Sequence, residues 1–148
     1  MRSWLQAVVW LLVVALTVAG FTADVTSKRG VSTCIQSTGP SARIPAGRVM
    51  VVGLSLIHHG IVALYTLGWL FPDSRSRAIV FGVMVVILLG WATVKRTCMV
   101  TVLINLMCGI EVDAKFKNIY AHLGLKRYNV DAVVFGGSML ILFIRFFV

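Results

Sequence analysis

The sequence predicts an all-α integral membrane protein, with four transmembrane helices plus a short interfacial amphipathic helix, in a single polytopic domain over residues 1–148. Three observations predict it. Hydrophobic residues make up 59% of the chain and charged ones only 13%, which is more apolar than a soluble core of this length uses. The apolar residues gather in runs close to the about twenty residues that carry a helix across a bilayer. Most of the fourteen Lys and Arg residues lie between or beside those runs, where retained cytoplasmic loops carry them.

The first run, residues 3–23, has no charge between Arg2 and Asp24. Its length also suits a secretory leader, but it is expected to be a retained span, with Trp4 at the water interface and Ala15 and Ala19 as a close-approach pair. Residues 24–48 follow as a polar loop rich in Ser, Thr and Gly, with Pro40 and Pro45 and no sustained period.

The second run, 49–71, is the longest uncharged one at twenty-three residues, and His58 and His59 fall near its middle. The sequence PDSRSR at 72–77 then stops the helix and leaves room only for an antiparallel return into a third span, 78–94. Gly53, Gly60, Gly68, Gly82 and Gly90 are expected to bring helix backbones together within this hairpin.

Residues 97–128 form the segment assigned to the interface. Thr97 to Ile110 is apolar but too short to cross alone, so it continues the third helix, re-enters, or lies flat. Asp113 is placed to cap a short helix whose Phe116, Ile119, Tyr120 and Leu123 share one face, with Lys115, Lys117, Asn118 and His122 on the other. Lys95, Arg96, Lys115, Phe116, Lys117, Ile119, Tyr120, Leu123, Lys126 and Arg127 are the candidate membrane-surface contact, and anionic lipid headgroups are the expected ligand. The last span, 132–148, carries Arg145 near its end, where the guanidinium can snorkel to the headgroups, and Gly136, Gly137 and Ser138 as another close-approach site.

Counting basic residues sets sidedness. Lys28, Arg29, Arg43, Arg48, Lys95, Arg96, Lys115, Lys117, Lys126 and Arg127 fall on one side, against Arg2, Arg75, Arg77 and Arg145 on the other. Ten against four predicts both termini on the non-cytoplasmic side. The net charge of +9 is thereby absorbed by topology and lipid, and no zinc-finger spacing or phosphate loop points to nucleic acid.

No catalytic set is legible. Asp24, Asp73, Glu111, Asp113 and Asp131 all fall outside the predicted spans, and Cys34, Cys98 and Cys108 form no CxxC pair and read as unpaired thiols. His58 and His59 are the candidate intramembrane polar contact or gating residues, because an imidazole in hydrocarbon needs a helix, a subunit or water to face. Axial ligation of haem by either one is a further alternative, which would make the chain similar to membrane-anchor subunits of respiratory complexes. The expected function is that of a structural anchor or scaffold subunit in a larger assembly, of respiratory type or at a virion membrane, without enzymatic activity or cofactor. The alternative is an oligomeric pore or proton/cation channel that uses the two histidines. The expected partners are the bilayer and other membrane subunits.

Overall fold

The computed structural model describes residues 2–26, 45–93, 98–109 and 130–147, and every regular element among them is helical. These are α1 (Arg2–Thr26), α2 (Pro45–Leu67) with a terminal 3-10 turn (Gly68–Leu70), α3 (Ser74–Thr93), α4 (Met99–Cys108) and α5 (Val130–Phe147). Three segments, Ser3–Thr26, Gly47–Leu70 and Ser74–Thr93, are long and apolar enough to cross a membrane, whereas the apolar part of α5, Ala132–Phe146, is shorter.

Local chemistry explains the boundaries. Pro45 opens α2 at the first helical position, where its missing N–H costs nothing. Asp73 caps α3, its Oδ1 accepting the Ser76 N–H at 2.6 Å, and that bond, the largest influence, holds its carboxyl below the usual range. Gly109, at φ 66°, closes α4 in the left-handed conformation that C-terminal caps favour. Within the helices, Thr17 and Thr66 donate to the carbonyls of Val13 and Val62, so neither hydroxyl is left unsatisfied.

The bundle is antiparallel. Trp10 meets Phe71, Thr17 approaches Gly60, and Asp24 meets Ser55, so α1 runs against the whole length of α2. Phe135 packs on Tyr65 and Trp91, and Phe146 on Phe81, which aligns α5 against α3. Val9, Val13, Val62, Met84, Phe135 and Leu142 belong to the main core, and Val51, Ile104 and Cys108 form a second where α4 covers α2. The start of α1, the 3-10 turn and the end of α5 gather at one pole, where Arg145 donates to the Trp69 carbonyl and Arg77 to those of Phe71 and Pro72. Both guanidiniums thus meet the negative end of α2.

Several expectations are corrected. Asp24 is inside α1 and buried, not in a polar loop, because the helix continues two residues past it. Pro45 to Arg48 likewise belong to α2, since proline initiates the helix instead of interrupting it. Only Phe71 to Asp73 separate the 3-10 turn from α3, so most of the PDSRSR stretch is helical. Gly68 and Gly90 do bring elements together, but Gly53, Gly82, Gly136 and Gly137 meet no described atom within 4 Å of a Cβ built on them. Ala15 and Ala19 are exposed as well. Cys108 is disulfide-bonded, and only Cys98 is a free thiol among the described cysteines. Residues 94–97 and 110–129 lie outside the described residues, and with them Lys95, Arg96, Lys115, Phe116, Lys117, Ile119, Tyr120, Leu123, Lys126 and Arg127.

Candidate functional site

A polar seam runs through the apolar interior where α1, α2 and α4 meet. Ser55 and His59 stand four residues apart on α2, hence on one face, and that face is turned to α1. Gly20 and Asp24 have the same spacing on α1. The Ser55 hydroxyl donates to Asp24 Oδ2 at 3.1 Å, and His59 Nε2 lies 3.4 Å from the same oxygen. A carboxylate only accepts, so Nε2 carries the proton in this contact. Asp24, Ser55 and His59 are 2%, 1% and 2% exposed, so the bonds form away from bulk water, where an unmatched polar group is costly.

Gly20 is required at this crossing. A Cβ added there would sit 2.7 Å from His59 Nδ1 and 3.3 Å from its Cγ, so the imidazole occupies the space a side chain would fill. His59 consequently points one nitrogen at Asp24 and the other at the α1 backbone surface.

His58 faces elsewhere. Its ring is set edge-on to His59 with centroids 5.5 Å apart, and its Nδ1 lies 3.5 Å from Thr101 Oγ1 on α4. Thr101 and Asn105 repeat the four-residue spacing and are both buried, giving α4 a polar stripe toward α2. The seam is therefore two contacts that share adjacent residues of α2: His59 with α1, and His58 with α4.

At about 1.5 Å of rise per residue, Ser55 lies about 10 Å inward from Arg48 along α2. The seam thus sits on the side of the bundle away from the termini. Among the described residues no group of three or more His, Cys, Asp and Glu could hold a metal ion. His59 is committed to Asp24 and Gly20, so any axial haem ligand would have to be His58.

The two histidines were legible from sequence as polar groups within an apolar run; Asp24, which meets His59, was not legible as its partner. The signal available was the pairing of Gly20 with Asp24 and of Ser55 with His59 at i, i+4 on two apolar helices. The chain matches no family model, no curated protein and no solved structure.

Proposed function

We propose that this chain is a structural, multi-pass membrane subunit that anchors or scaffolds a larger assembly, as in a respiratory-type complex or a virion membrane. The observation that carries the reading is the outer surface. Leu11, Val49, Ile79, Val86 and Val133 are among many large apolar side chains exposed on the long helices, and Gly82, Gly136 and Gly137 lie exposed among them. Hydrocarbon covers the side chains, while the uncovered glycines are places where a neighbouring helix can approach closely. Four crossings are proposed, with α5 as the fourth. Purification from native membranes in mild detergent tests this: a partner protein should co-elute in constant ratio, and a stable, partner-free monomer overturns it.

A second reading, passage of protons or cations, is favoured by the buried Asp24–His59 contact. Because His59 is enclosed by α1 of the same chain, such a path would follow the seam inside one chain instead of running between copies. Liposomes containing the protein should then leak protons, and replacing both histidines by Phe should stop the leak; no leak in the wild type removes this reading.

Two signals bear on orientation and disagree. The ten-to-four charge count puts both termini on the non-cytoplasmic side, whereas the disulfide at Cys108 lies at the pole opposite the termini and disulfides persist in oxidising compartments. We give the bond the greater weight, since it requires an oxidant at that pole while the charge bias is only a tendency. The proposed orientation is accordingly the reverse of the charge count, with both termini cytoplasmic.

A further inference from the structure

The end of α2 gathers more positive charge than its own backbone balances. Arg77 Nη1 donates to the carbonyls of Phe71 and Pro72, both at 3.0 Å, and Arg145 Nη1 donates to that of Trp69 at 2.6 Å. Trp69 and Phe71 are two positions apart, at most about 7 Å along the chain, so guanidiniums from α3 and α5 converge on one helix end. A helix C-terminus offers about half a negative charge against these two full positive ones. Exposed Arg75 adds a third.

Nothing described at this pole supplies the missing anion. The one carboxylate among its described side chains is Asp73, whose Oδ1 accepts the Ser76 N–H and whose Oδ2 is buried. Arg77 is half-buried and held by its two carbonyls. Arg145 is exposed and bonds through Nη1 alone among the described residues, which leaves most of the N–H donors of its guanidinium unused.

Depth identifies the anion. Arg48 and Trp69 are separated by about 31 Å of helix, the thickness of a bilayer's hydrocarbon core, so Trp69 and Arg145 stand at the boundary where lipid phosphates lie. Exposed Trp4 and half-buried Trp69 share this pole, as indoles do at headgroup level. Ile141 is exposed one helical turn before Arg145 on the same face, where an acyl chain can lie against it.

We propose that Arg145, with Arg77 beside it, binds the phosphate of an anionic phospholipid, and that this lipid ties α5 to the end of α2. An anionic headgroup fits better than a zwitterionic one, because Asp73 has no free oxygen at the surface to meet an ammonium group. None of these residues belongs to the segment 95–127, to which the sequence assigns headgroup contact. The inference rests on the membrane part of the reading above and on no partner protein.

The test uses the full chain in an uncharged detergent, with native mass spectrometry reading the dissociation constants of successive lipids as phosphatidylglycerol or phosphatidylcholine is added. A chain that stays in solution without detergent fails the membrane reading, and this site with it, before any lipid is present. In the wild type phosphatidylglycerol should bind more tightly than phosphatidylcholine. Arg145→Gln should weaken one step of the phosphatidylglycerol series about fivefold, the factor carried by one basic residue near an anionic surface, and leave the phosphatidylcholine series unchanged. A phosphatidylglycerol series identical in both proteins, or equal weakening of both lipids, overturns the site. Should Arg145→Gln not fold, phosphatidylglycerol with a photoreactive headgroup is cross-linked to the wild type: adducts should map to residues 69–77 or 141–147, and adducts confined to other segments overturn the proposal. Inorganic phosphate added in place of lipid should give no adduct that Arg145→Gln removes; such an adduct reassigns the site to a free anion and overturns the lipid.

Discussion

Gly20 sets the distance between α1 and α2, because any side chain at that position would compete with the His59 ring for the same volume. Gly20→Ala is expected to cost about 1–3 kcal/mol by overpacking, read as a lower thermal midpoint in detergent. The matched control is Gly82→Ala on the open side of α3, where a methyl meets nothing described and the gain in helix propensity should leave stability equal or up to about 1 kcal/mol higher. If both variants behaved alike, the close crossing would be wrong. Ser55→Ala removes the 3.1 Å hydrogen bond that the hydroxyl donates to the buried Asp24. A loss of about 1.5–3 kcal/mol is expected from chemical unfolding, since hydrogen bonds to charged groups carry that weight.

α3 depends on Asp73 for its start, and this cap lies outside the apolar part of the bundle. Asp73→Ala should cost about 1 kcal/mol, whereas Asp73→Asn should retain nearly all of the capping bond. The pH dependence separates them further. The folded carboxyl titrates below its ordinary value, so its contribution is complete above about pH 4 and is lost as pH falls through the lower folded value. Acid unfolding profiles should show that loss in the wild type and not in Asp73→Asn. Gly68 acts on the same hairpin from the other side: its Cβ would stand 2.5 Å from Val80 Cγ1, so the return of α3 onto α2 requires the bare backbone there. α4 owes its place to composition as well. Its ten residues are too few to cross a bilayer, and it lies along α2 with Ile104 and Cys108 on Val51.

For the whole molecule, orientation is the property in which the chemical and statistical signals part. Ser74→Cys in a Cys98→Ser background places one reporter thiol at the exposed start of α3, on the terminal pole. An impermeant maleimide applied to intact cells should leave it unlabelled until the membrane is permeabilised, as the disulfide at the other pole implies; labelling of intact cells would support the charge count instead. The aromatic contacts of Phe135 with Tyr65 and Trp91 tie α5 to both α2 and α3, so α5 shares the core of the three long helices despite its shorter apolar stretch.

Sequence alone determined the all-helical class and the presence of helices long and apolar enough to cross a membrane. Long uncharged runs such as 49–71 have to satisfy every backbone group internally once they leave water, and only a helix does so within one segment. It also located His58 and His59 as polar groups needing company. It could not name that company, because a helix's end is a local property but its neighbour is not. Asp24 follows an apolar run by one residue and reads as the first position of a loop until α2 is laid beside it. Tertiary packing then places the carboxyl against Ser55 and His59, and only that juxtaposition turns a residue from the edge of a span into the partner of the imidazole.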